Sequence, residues 1–172
     1  MDNPELGLIS KFEYDQLDIC GIKVYFCKDR SNITISIEDA KTVLSIIPEK
    51  HRQEIPRIYF VNYFCENHEV KGRHLAGLNY IVIYPHAADK LKQVLFHETG
   101  HVLWDRLLTP EQRIKFYYCM LAEAPITADQ NDVLARHVFI LENFANSYWF
   151  VLDNIFDSKK YPKIHEFILS IF

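Results

Sequence analysis

The sequence predicts one α+β domain over residues 1–172, with strands and helices mixed in the first half and helices alone in the second. Three observations predict it. Short apolar runs of strand character recur before residue 85, and helix-spaced apolar runs follow it. No linker, internal repeat or low-complexity tract interrupts the chain. With 49% hydrophobic and 14% aromatic residues, the chain is apolar enough to bury a sizeable core.

The elements follow in order. In "CGIKVYFCKD", Ile22, Val24 and Phe26 alternate with Lys23, Tyr25 and Cys27, the period-2 mark of a strand. "SIEDAKTVLSIIPEK" predicts a helix, with Ser36 as N-cap, Asp39 three residues on and Pro48 at its end. "RIYFVNYF", residues 57–64, is a β-branched and aromatic run short enough for a buried strand. "CENHEVKGRH" reads as a polar connection, and "LNYIVIY", residues 78–84, as a further strand closed by Pro85. A helix is predicted over about residues 87–107. Thr109-Pro110-Glu111-Gln112 then carries a capping box and a proline at the first helical position. Thr127 and Gln130 repeat the capping-box spacing before a long helix to about residue 153, and "YPKIHEFILSIF" forms a last helix.

Bulk properties exclude several roles. A formal charge of −4 with no concentrated basic face argues against nucleic-acid binding. The N-terminal stretch is acidic, without the basic and apolar regions of a signal peptide, and no run is long and apolar enough for a membrane span. Cys20, Cys27, Cys65 and Cys119 show no CxxC spacing and lie mostly in apolar segments, which reads as free thiols in a reducing, cytoplasmic setting.

The chemistry concentrates in "KQVLFHETGHVLWDRLL", residues 92–108. Residues four apart share a helix face, so His97 and His101 can aim both imidazoles at one point. Zinc accepts two such nitrogens, and Glu98 then projects beside the metal as a general base. The metal lowers the pKa of water from about 15.7 toward about 7, and the carboxylate takes the proton. Gly100 leaves the histidine face uncluttered. Two histidines on an amphipathic helix can also be ordinary polar positions. Here, however, Val94, Leu95, Phe96, Val102, Leu103 and Trp104 make the helix apolar nearly all round. A glutamate between two histidines inside such a helix is costly to bury unless something compensates it.

Catalytic zinc sites usually take a third protein ligand. The metzincin extension requires Gly at position 104 and His at position 107, where this chain has Trp104 and Leu107, so that class is excluded. The downstream carboxylates are Glu111, Glu123, Asp129, Asp132, Glu142, Asp153 and Asp157. Most fall at helix starts or in polar turns, where capping accounts for them. Glu142 lies among Val138, Phe139, Leu141, Phe144 and Ala145, where a carboxylate is expected to be buried and either paired, with Arg136 or a lysine, or bound to metal. Asn146, one turn later, can offer an oxygen to the second ring nitrogen of His97 or His101, with Asp105 a weaker competitor.

With His97-Glu98-Thr99-Gly100-His101 and Glu142-Asn143-Phe144-Ala145-Asn146 both present, the chain resembles the gluzincin metallopeptidases, and more narrowly the anthrax lethal factor catalytic domain and the Pro-Pro endopeptidases. In that group a segment like Glu-Phe-Phe-Ala-Glu supplies the third zinc ligand after the HExxH helix. The similarity spans residues 22–153. It implies a zincin-like fold, with a small mixed sheet over the HExxH active-site helix and helices C-terminal to it. The strand in "LAGLNYIVIYP" is then the upper edge of the cleft, able to pair with an extended peptide. Two positions depart from the family. Asn146 stands where an acid is usual, and Ala135 where a tyrosine stabilises the oxyanion. Tyr117, Tyr118, Tyr148 and His137 are the candidate replacements. Loss of such a donor removes about 3 kcal/mol of transition-state stabilisation.

The expectation is therefore a cytoplasmic, zinc-dependent endopeptidase acting on a peptide or protein, with Zn2+ on His97, His101 and Glu142, Glu98 as base and Asn146 supporting a ligand. The rivals are a catalytically weak or inactive zincin-like binding module, favoured by Ala135, and a regulatory metalloprotease that cleaves a repressor. The latter usually carries a DNA-binding segment, which is not seen here. A structural domain with a chance HExxH is the plainest alternative.

Overall fold

The computed structural model describes residues 4–67, 69–123 and 133–172, which form two compact units, residues up to Leu95 and residues from Phe96 onward. The first unit has a short helix α1 (Pro4–Ile9) and strands β1 (Tyr14–Ile19) and β2 (Ile22–Cys27). Helices α2 (Ile37–Ile46) and α3 (Glu49–Arg52) follow, then strands β3 (Arg57–Phe60), β4 (Gly72–Leu75) and β5 (Tyr80–Ile83). The five strands make one mixed sheet in the order β1-β2-β3-β5-β4. β2, β3 and β5 are parallel, and β1 and β4 run antiparallel to their neighbours at the two edges.

Local chemistry explains these elements. β1 and β2 meet through Cys20 and Gly21, both at positive φ (54° and 81°), the two-residue turn whose twist suits a hairpin. Asp18 Oδ1 accepts the Gly21 N–H at 3.0 Å and closes it. Ser36 and Asp39 form the expected capping box at the start of α2. In the parallel centre, Phe26 pairs with Phe60 and Tyr25 with Tyr59. Their rings stack at 4.4 and 4.6 Å, each pair adding about 0.5–1.5 kcal/mol beyond burial. One face carries the fully buried Ile22, Val24, Phe26, Ile58, Ile81 and Ile83. On the other, Tyr59, Val82, Tyr84 and Leu75 pack with Ile9 of α1.

Four sequence expectations are corrected here. The strand expected over residues 78–84 is β5, which lies inside the sheet between β3 and β4, so its backbone is already paired on both sides. The edge is β4, all but its last residue in the segment read as a polar connection. β1, the other edge, was not expected as a strand. Both edges are short and polar on their outward positions, which is how sheets discourage stray pairing and why alternation fails to reveal them. The helix expected from about residue 87 begins instead as a 3-10 turn at Pro85–Lys90 and becomes α4 (Leu91–Arg106).

The second unit holds the remainder of α4 with α5 (Pro110–Glu123), α6 (Val133–Leu152) and α7 (Pro162–Leu169). Thr109 and Gln112 cap α5 reciprocally, as the sequence predicts. The second predicted capping box, Thr127 and Gln130, lies outside the described residues, as do Asp129 and Asp132. α6 ends in a Schellman motif: Asn154 takes φ 57°, Asn154 N–H bonds Val151 O, and Ile155 N–H bonds Phe150 O. Trp104, Phe116, Phe144 and Phe167 form an aromatic core with Met120, Tyr148 and Ile168. No helix among the described residues is long and apolar enough to cross a membrane.

Candidate metal centre

His97 and His101 lie one turn apart on α4, and Glu142 and Asn146 one turn apart on α6. The two turns meet at a contact between two small residues. Gly100 faces Ala145 so closely that a Cβ at Gly100 would stand 2.6 Å from Ala145 Cα and 3.2 Å from its carbonyl oxygen. The sequence suggests that Gly100 keeps the histidine face clear; the backbone of α6 is what it makes room for.

At this crossing one ligand atom each from His97, His101 and Glu142 lies within 4.8 Å of the others. The two Nε2 atoms are 3.0 Å apart, His97 Nε2 is 3.3 Å from Glu142 Oε2, and His101 Nε2 is 3.5 Å from Glu142 Oε1. Ligands about 2.0–2.1 Å from a tetrahedral zinc stand about 3.3–3.4 Å from one another. The nitrogen–nitrogen separation and the separations to the two carboxylate oxygens are all close to that value. His97 Nδ1 faces Asn146 Oδ1 at 3.0 Å. The ring proton donated there leaves the Nε2 lone pair turned toward Glu142 and His101. Two imidazole nitrogens and a carboxylate then converge, an arrangement that suits a shared proton or a metal cation. The residues fit a divalent metal with nitrogen and oxygen preference.

The electrostatics agree. Burial works to lower the His97 pKa, but the hydrogen bond to Glu142, the charges of Glu98 and Glu142 and the Asn146 oxygen together raise it above its ordinary value. Glu142 is held below the usual carboxylate range by its bond to His97, against burial and with help from the charges of both histidines. Glu98 is 6% exposed and close enough for its charge to act on His97.

One site expectation is corrected. Glu142 is not buried: its side chain is 47% exposed, against 21% for His97 and 11% for His101. The buried face of α6 is made by Phe144, Ala145, Ser147 and Tyr148, and Glu142 lies at the margin of that face. Its two carboxylate oxygens face the two histidines.

Three of the competing carboxylates have other work. Glu123 accepts the Lys163 and Ile164 N–H groups at 2.8 and 3.1 Å and caps α7. Asp153 accepts from Trp149 Nε1, and Asp157 from the Lys160 N–H. Asp105 is exposed. Among the candidate oxyanion donors, Tyr148 is fully buried in the apolar core with its ring against Phe172, and burial raises its pKa far above the ordinary tyrosine value. Tyr118 is 64% exposed with its ring tilted against that of Tyr117 on α5, and His137 is exposed on α6. Ala135 is exposed two helical turns before Glu142. Sequence reasoning names Ala145 only as an apolar neighbour of Glu142 and misses its contact with Gly100; its small side chain between Phe144 and Asn146 was the one signal.

Comparisons with known protein families, curated proteins and solved structures return no match to this chain.

Proposed function

We propose that this chain is a zinc-dependent endopeptidase of zincin-like fold, in which His97, His101 and Glu142 hold the metal and the substrate is a peptide or protein. The convergence of three donor atoms within 4.8 Å, with the His97 tautomer fixed by Asn146, carries the reading. The chain order supports it as well: a five-stranded mixed sheet, then the HExxH helix, then helices that bring the third ligand. When bound there, zinc supplies Lewis acidity, which makes water acidic enough to attack at neutral pH and polarises the substrate carbonyl. Glu98 accepts the proton of the attacking water on its carboxylate and passes it to the leaving amine. Asn146 holds the His97 ring in register, and the half-exposed Glu142 leaves its side of the centre open to solvent and substrate.

A second reading is a metal-holding binding module that cuts slowly or not at all. Ala135 in place of a tyrosine and the burial of Tyr148 favour it. The four cysteines are free, Cys20 at the surface among them, which suits a reducing, cytoplasmic location for either reading.

Glu98→Gln separates the two. In an endopeptidase the variant keeps its zinc and loses cleavage of a peptide library. Wild-type protein with a full equivalent of zinc and no cleavage of any library member favours the binding module, and equal cleavage by the variant rejects Glu98 as base.

A further inference from the structure

We infer that the Gly100–Ala145 contact is a positioning element of the metal centre: it sets the one separation of α4 and α6 at which Glu142 and Asn146 both reach the histidines. The inference rests on reading His97, His101 and Glu142 as metal ligands. Glycine inside a helix costs about 1 kcal/mol relative to alanine, so Gly100 needs a reason to be where it is. The reason is steric. A Cβ at position 100 would meet Ala145 Cα at 2.6 Å, its Cβ at 3.1 Å and its carbonyl oxygen at 3.2 Å. These are mostly backbone atoms in the interior of a long helix, which no rotamer change can move aside. Carbon atoms pack at about 3.5–4.0 Å, so relief requires the helices to part by about 1 Å.

That displacement falls where the centre can least absorb it. Ala145 sits between Glu142 and Asn146 on a single turn, and Gly100 sits between His97 and His101. Parting the helices there lengthens the 3.0 Å His97–Asn146 hydrogen bond toward about 4 Å, beyond bonding range. It carries the Glu142 carboxylate away from both Nε2 atoms in the same movement. The centre then falls from three converging donors to two, and His97 loses the partner that fixes its tautomer.

Gly100→Ala tests this in two independent ways. Imidazole nitrogen NMR on the metal-free protein reports whether His97 carries its proton on Nδ1, and zinc competition titration reports affinity. Expected is a folded, helical variant in which the Nδ1–H signature of His97 is lost and zinc affinity falls at least about tenfold. Glu123→Gln, which loosens the α7 cap away from the centre, is the control for a purely structural loss: it lowers thermal stability and leaves both readouts at wild-type values. If Gly100→Ala fails to fold, Ala145→Ser adds a single oxygen from the other side and gives a smaller loss in both readouts. A folded Gly100→Ala or Ala145→Ser variant with wild-type tautomer and affinity overturns the inference alone. Wild-type protein that binds no zinc overturns the metal reading, and this inference with it.

Discussion

His97 Nδ1 lies 3.0 Å from Asn146 Oδ1, and this bond decides which lone pair of the ring faces Glu142 and His101. A metal-binding histidine normally donates its second ring N–H to an oxygen, and the acceptor here is a neutral amide. Asn146→Ala is expected to weaken zinc affinity by about 10–100-fold with little change in helicity, as read by competition with a chromogenic chelator. Asn146→Asp restores an acceptor and makes the ring more basic, so it retains or tightens binding. Wild-type affinity in Asn146→Ala would remove this residue from the account.

The metal-free protein should show a window of stability set by the same cluster. The folded-state pKa of His97 is raised above 6.5, so its contribution is complete below about that pH and is lost as pH rises through the higher folded value. The pKa of Glu142 is depressed below 4.5, so its contribution is present above that pH and is lost as pH falls through the lower folded value. The two describe one interaction, fully formed between about pH 4.5 and 6.5. The expected outcome, in chelator-treated protein, is a melting temperature that Glu142→Gln lowers inside that window and affects less at pH 9. An effect of Glu142→Gln independent of pH contradicts the pairing.

Glu123 ties the end of α5 to the start of α7 through two backbone N–H groups that the α7 N-terminus leaves otherwise unsatisfied. Replacing it with alanine should cost about 1 kcal/mol, within the usual range for a lost N-terminal cap. Urea unfolding measures this, and a midpoint within error of wild type would show that solvent serves α7 equally well.

Thiol reactivity should rank by exposure. Cys20 is exposed, whereas Cys27 is fully buried and burial raises its pKa above the ordinary thiol value. With a chromogenic disulfide reagent at neutral pH, Cys20 is expected to react first and Cys27 only on unfolding. Early modification of Cys27, located by peptide mapping, contradicts the packing of β2.

Much of this was legible in the residues, and the failures have physical causes. His97 and His101 are four apart on a helix, so their convergence follows from helical geometry alone. Glu142 and Asn146 were legible because a carboxylate and an amide one turn apart stand out in an apolar helix. The exposure of Glu142 was not legible. Its neighbours in sequence are apolar, but the margin of a buried face is set by which helix packs there. β1 and β4 were missed because edge strands carry polar side chains outward and lose the alternation that marks β2. β5 was recognised as a strand, but its place inside the sheet depends on β4, four residues that look like a turn. The role of Gly100 needed its partner, and nothing in one sequence pairs position 100 with position 145.

Whether His97, His101 and Glu142 form one metal centre is tested most directly by zinc stoichiometry. Protein purified with zinc present and then freed of loose metal is predicted to carry about one equivalent by elemental analysis, and Glu142→Ala protein well below that, with weakened affinity. Wild-type protein at background zinc, or a Glu142→Ala variant that holds zinc as tightly as wild type, would contradict it.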